Sequence, residues 1–248
     1  GKTGRGWFLK TNEDLKNEWK RQEQKSTVTD YPRVNQKAKF ATDYYMPRRL
    51  ENGSILALKQ SKARTAHFVT IDSNKNEKIL FGIGYQEQAW YSYANNILVW
   101  DEIRYDPRFR QRSYSVISVH DRTFNKTWKL LPRTRLFSPS LSPDGKKLVA
   151  IEVDLSNQVS MIELDVKSGQ TLFKYANPKN LMLQSPGYSL SGDTIAYVSV
   201  SEKGKSLWIT DRSGKNEQLI GETQQQINRP QFTRSGIAFN AHYSGPDN

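Results

Sequence analysis

The stretch EIRYDPRFRQRSY at 102–114 sets Arg104, Arg108, Arg110 and Arg112 among Tyr105, Phe109 and Tyr114, around Asp106-Pro107. Guanidinium forks can grip carboxylates or phosphates in bidentate fashion, and aromatic rings beside them add stacking area. Arginine and aromatic residues are also the usual anchors of protein interfaces. A binding reading therefore takes Arg104, Tyr105, Arg108, Phe109, Arg110 and Arg112 as a candidate site. A second reading stands level with it: a self-contained loop in which Asp106 accepts from a neighbouring arginine, Pro107 fixes the turn and the aromatics cover a sheet edge. Nucleic-acid binding by this mixture of charge and stacking is disfavoured, because no recognised nucleic-acid module accompanies it.

Other chemistry is thin. The three histidines, His67, His120 and His242, are not at ligand spacing and read as ordinary sheet or surface residues. There is no HExxH, no Gly-x-Ser-x-Gly elbow, no GxGxxG and no phosphate loop. Gly204-Lys205-Ser206 ends like a phosphate loop but lacks the upstream glycine, and reads as a hairpin turn. No catalytic residue, metal site or cofactor is assigned.

The 248 residues suffice for one large domain or two modest ones without a metal or disulfide staple. With no cysteine, a disulfide scaffold and a zinc-thiolate site are both excluded. Apolar runs of four or five residues fall far short of a membrane-spanning helix. The net charge of +12 lies wholly before residue 138: residues 1–137 hold 26 Lys/Arg against 14 Asp/Glu, and the remainder holds 11 of each. Such an excess reads as a solvated face, or as the complement of an acidic partner.

What must position any site is a repeat. SPSLSPDGKKLVAIEV (138–153) aligns with SPGYSLSGDTIAYVSV (185–200) and with RPQFTRSGIAFNAHYSG (229–245), and fainter copies lie at 44–60 and 88–103. One turn column runs Asn52-Gly53, Asn95-Asn96, Asp144-Gly145, Ser191-Gly192 and Ser235-Gly236, residue types that accept positive φ or favour turns. A second runs Asp72, Asp121, Asp165 and Asp211, at spacings of 49, 44 and 46, each closing an apolar strand ahead of a polar turn and a fourth strand. Four short strands per unit, at a period near 45, predict the blades of a β-propeller. A β-sandwich has no reason to repeat two turn columns at one period. Units beginning near 43, 88, 138, 185 and 229 give four complete blades and a partial fifth. That leaves the propeller open, so the chain is expected to continue beyond Asn248, or closing strands to come from elsewhere.

Ser138-Pro-Ser-Leu-Ser-Pro-Asp-Gly-Lys146, followed by LVAIEV and then MIELD, resembles the TolB-like propeller repeat. The resemblance implies a six-bladed fold and placement in the periplasm, the cell envelope or a secreted protein. Residues 1–42 carry no copy of the repeat; Thr11, Asp14, Leu15 and Trp19 predict a short amphipathic helix near 12–25. FLKTNEDLKNEW (8–19) resembles the closing helix of thermolysin-like zinc peptidase domains, which a TolB-like propeller can follow; their zinc motif is absent here. The organisation expected is thus an N-terminal helix and linker, 1–42, as the possible tail of a preceding domain, and a propeller, 43–248. The function expected is non-catalytic binding of a protein or peptide partner at a channel mouth. The alternative is an accessory, substrate-screening propeller of a peptidase whose catalytic domain lies outside this chain.

Overall fold

Each copy of the repeat forms one antiparallel sheet. The computed structural model describes residues 13–18, 20–21, 32–36, 38–109, 111–132 and 134–242, in two units, Gly1–Gln36 and Lys37–Asn248. In the first unit, residues 13–18 and 20–21 are helical, within the span the sequence predicts, while Thr11 and Trp19 lie outside the described residues.

The second unit is all β. The first sheet comprises β1 (Thr42–Arg49), β2 (Ile55–Ser61), β3 (Arg64–Ile71) and β4 (Glu77–Gly82). The second comprises β5 (Ser92–Ala94), β6 (Ile97–Tyr105), β7 (Ser113–Asp121) and β8 (Lys126–Leu130). The third has β9 (Leu136–Leu141), β10 (Lys147–Val153), β11 (Val159–Asp165) and β12 (Thr171–Tyr175). The fourth has β13 (Met182–Tyr188), β14 (Thr194–Ser201), β15 (Gly204–Asp211) and β16 (Asn216–Thr223). The fifth is a pair, β17 (Gln226–Thr233) and β18 (Gly236–His242). Every strand pairs with its sequence neighbour, and consecutive sheets pack face to face, as propeller blades do.

Both turn columns have a local cause. In the first, Asn95 and Asn96 both sit at positive φ (44° and 62°), as a type I′ hairpin requires, and Gly145 and Gly192 take φ of +70° and +80°. In the second, the aspartates cap their own turns. Asp121 Oδ1 accepts from the Thr123 N–H at 2.8 Å, Asp165 Oδ1 from Ser168 at 2.7 Å and Asp211 Oδ1 from Ser213 at 2.8 Å.

The inner strands carry a further regularity. Met46, Ser138, Ser185 and Arg229, each just before a proline, sit at φ of 50–54°. Each marks a break in the register with the second strand, a bulge that turns the inner strand aside. The second sheet has no such proline and starts four residues later than its repeat. Trp90 and Tyr91 leave the ladder to serve as anchors: Trp90 Nε1 donates to the Pro139 carbonyl at 2.8 Å and Tyr91 Oη to the Met46 carbonyl at 2.5 Å.

The core sits between sheets. In β10, Leu148 and Ala150 pack with Val99, Ile117 and Val119 of the second sheet. Val149 and Ile151, on its other face, pack with Leu183, Ile195 and Tyr197 of the fourth. Leu148 is wholly buried, so Leu148→Ala should lower unfolding free energy by about 2–5 kcal/mol. Leu155→Ala, at a position 82% exposed, should change it by less than about 0.5 kcal/mol. Urea titration of the two variants checks this.

Candidate functional site

In this up-and-down order, one edge of the sheets carries the sheet-to-sheet connections and the loops joining second to third strands. The arginine-rich loop, between β6 and β7, lies there. Asp106 Oδ1 accepts from the backbone N–H groups of Arg108 (2.8 Å) and Phe109 (3.2 Å), and the Asp106 N–H donates to the Arg112 carbonyl at 2.8 Å. Those contacts, the Arg108 N–H foremost, hold the Asp106 carboxyl below its ordinary range. Asp106 thus takes its bonds from backbone and, at Oδ2, from the Tyr114 hydroxyl at 3.4 Å, not from an arginine side chain. Tyr105 and Phe109 stand 63% and 62% exposed and do not cover the sheet edge. Arg112 lies over the Tyr114 ring, 5.4 Å from its centroid.

Arg104 is differently placed. Its guanidinium pairs with Glu102, a buried carboxylate that also accepts from Trp100 Nε1 (2.8 Å) and the Gly84 N–H (3.1 Å). Burial works against the Glu102 charge, but the bonds from Trp100 and Gly84 and the Arg104 cation outweigh it and hold its pKa low. Arg108 is exposed, and Arg110 lies outside the described residues.

The histidines have structural partners. His67 Nδ1 lies 2.7 Å from the Thr65 carbonyl and His120 Nδ1 2.8 Å from Thr127 Oγ1, with the His120 ring 4.2 Å from Phe81. Burial lowers the His120 pKa. The His242 side chain lies outside the described residues. Gly204 opens β15 at φ +127° against the Thr223 carbonyl, where a side chain would clash, as a tight hairpin explains.

What the sequence reading missed is a cavity of about 490 Å³ on the same edge, among the starts of β7, β9, β13, β15 and β17 and the end of β6. Gln86, Glu87, Gln184, Asn228 and Lys205 line it, with Asp101 and Ser115 on its β6–β7 wall. Asp101 opposes Ile117 across the ladder, and Ile103 opposes Ser115, so Asp101 and Ser115 share one face of the second sheet as diagonal neighbours. Asp101 Oδ2 accepts the Ser138 N–H, which the bulge before Pro139 frees from the ladder, and Oδ1 accepts from Gln86 Nε2, each at 3.2 Å. Burial pushes the Asp101 pKa up to about 6, against the Ser138 and Gln86 bonds, and Glu87 adds to the rise. The Ser115 hydroxyl is buried and has no hydrogen-bond partner. The only sequence signal for this site was the acidic pair Asp101-Glu102 inside the otherwise apolar strand ILVWDEI.

A second cavity, about 510 Å³, lies on the flank between the third and fourth sheets and is lined by Phe173, Tyr175, Tyr197 and Trp208. Several of its polar atoms are already matched. Tyr197 Oη donates to Asn216 at 3.0 Å, Trp208 Nε1 to Ser199 at 2.9 Å, and Arg212 Nε to the buried Glu163 at 2.7 Å. The mouth cavity, with polar capacity to spare, is the stronger candidate. Among the described residues no three His, Asp or Glu side chains converge as metal ligands, and no helix is long and apolar enough to cross a membrane.

The fold is that of a β-propeller, and the solved structures it matches include TolB proteins and other propellers. TolB from Acinetobacter baumannii is 14% identical with a TM-score of 0.55, over 73% of this chain and 44% of that one. A protein described as a TolB from Agrobacterium tumefaciens is 14% identical with a TM-score of 0.58, over 77% and 71%. The propeller domain of Cps50 (Swd1) from Myceliophteria thermophila is 17% identical with a TM-score of 0.53, over 86% and 65%. The chain is thus a TolB-like propeller in fold, and it spans less than half the length of the Acinetobacter protein. No protein-family model and no curated protein matches its sequence.

The Asp101 geometry fixes a sign. Its pKa rises from 3.8 to about 6 on folding, so its contribution to stability is full below pH 4 and lost as pH rises through 6. The loss is roughly 3 kcal/mol at most. Asp101→Asn should therefore gain stability relative to the parent at pH 7.5 and lose that advantage at pH 4.5, read by urea unfolding at the two pH values.

Proposed function

We propose that the domain is a non-catalytic propeller that binds a protein or peptide partner at the mouth on its connection edge. The carrying observation is the amide-lined cavity there, where Gln86, Gln184 and Asn228 offer both donors and acceptors. Such side chains suit the backbone of an extended segment. The arginine-rich loop supports the same reading. It leaves β6 two residues after Ile103, itself a lining residue, and sets Tyr105, Arg108, Phe109 and Arg112 as an exposed rim. Arg104 stands apart as the partner of Glu102. By the resemblance of its repeat, the setting proposed is a larger protein of the bacterial envelope or a secreted one.

Selection of peptides from a displayed library against the full chain tests this. Gln226→Trp, which fills the mouth from an exposed lining position, should weaken selected peptides about tenfold or more, whereas Leu190→Trp, on the opposite edge, should not. The Arg108→Ala, Arg112→Ala double variant should also weaken them while melting at nearly the parent temperature. Selected peptides indifferent to Gln226→Trp would overturn the reading.

A further inference from the structure

The mouth carries an imbalance of charge as well as polar capacity. Asp101 lies at its wall and Glu87 at its exposed rim, and Lys205 on β15 is the one cation among the described lining residues. Neither carboxylate is ion-paired among the described residues, whereas Glu102, on the opposite face of β6, is. Each Asp101 oxygen accepts a single hydrogen bond and keeps capacity for another. The buried, unpartnered Ser115 hydroxyl is an independent sign that the wall is built for a polar group.

We infer that the mouth recognises a primary ammonium group of its peptide partner, a lysine side chain or a free amino terminus, held by Asp101 and Ser115 at the wall and Glu87 at the rim. The inference rests on the mouth being the binding site. An ammonium fits better than a guanidinium for a geometric reason. Ser138 and Gln86 already occupy one lone pair on each Asp101 oxygen, which obstructs a bidentate fork. The single acceptor position left on each Asp101 oxygen suits the separate N–H bonds of an ammonium instead.

Recognition of this kind depends on pH. The charged groups facing Asp101 are Glu87, from the connection before β5, and Lys205, from β15; the other strands about the cavity bring no titratable side chain to its lining. Because Asp101 ionises near pH 6, the ammonium meets a carboxylate at pH 7.5 and mostly a neutral acid at pH 5.0. Affinity should fall about tenfold between the two.

The test is amide chemical-shift titration of the full chain with three peptides at millimolar concentration: acetyl-Gly-Lys-Gly-amide, Gly-Gly-Gly-amide with a free amino terminus, and acetyl-Gly-Gly-Gly-amide. An ammonium peptide should shift the Glu87, Asp101 and Ser115 amides and weaken about tenfold at pH 5.0. Asp101→Asn should abolish the pH dependence and most of the binding, and Glu87→Gln, at an exposed site, should weaken binding with the fold intact. Glu217→Gln, far along β16, should change nothing. Response to the lysine peptide alone assigns a side chain, and response to the free-amine peptide alone assigns a terminus. If the doubly blocked peptide shifts these amides equally, the ammonium inference fails and the mouth reading stands. The ammonium inference fails in the same way if library-selected peptides bind there without a basic group. If neither these nor any selected peptide shifts the mouth amides, both fail.

Discussion

A sheet whose strands are apolar on both faces must be covered on both. β10 shows the constraint most plainly: alternate residues of LVAI turn to the second and the fourth sheets and are buried in each direction. Only stacking on two sides meets that demand, and stacked twisted sheets leave their polar chemistry at their edges. The connection edge, where side chains escape the packing, gathers the sheet-to-sheet segments, the arginine-rich loop and the mouth cavity.

Within that edge, the bulges before the prolines do chemical work. A strand in regular register commits every N–H to its ladder or to solvent. At Ser138 the left-handed residue turns its N–H aside, and Asp101 of the neighbouring sheet accepts it. At Ser185, the corresponding residue one sheet on, the hydroxyl donates to Asn228 Oδ1 of the fifth sheet. One backbone irregularity, repeated by the sequence, thus supplies cross-links between neighbouring sheets and shapes the wall of the mouth.

How much of this the sequence disclosed depends on range. The turn columns were legible because their cause lies within a few residues: paired asparagines, glycines, and aspartates reaching their own turn amides. The start of β5 was not, because Trp90 and Tyr91 are drawn out of the ladder by carbonyls of other sheets. Arg104 read as one of four equivalent arginines, and only the burial of Glu102 distinguishes it. Asp101 was invisible as a site because β9 and the segment before β5 create its enclosure. The loop around Asp106 was half legible: its turn was expected, but the bonds come from backbone and Tyr114 rather than from arginine, and Tyr105 and Phe109 stand outward while Tyr114 is buried.

The fifth sheet, a strand pair, is held to the fourth by the small cluster of Val198, Leu207 and Ile227. It also reaches the segment before β5: the Arg229 guanidinium donates to the Ala89 carbonyl at 3.2 Å and lies 5.7 Å from the Trp90 ring centroid. The pair is thus tied to the remainder by that cluster, by the Ser185–Asn228 hydrogen bond and by the Arg229 cation. Its transient release would uncover Trp90 and loosen the segment that carries Gln86 and Glu87. Opening of the last strands would therefore be felt at the mouth, through the segment that Arg229 holds.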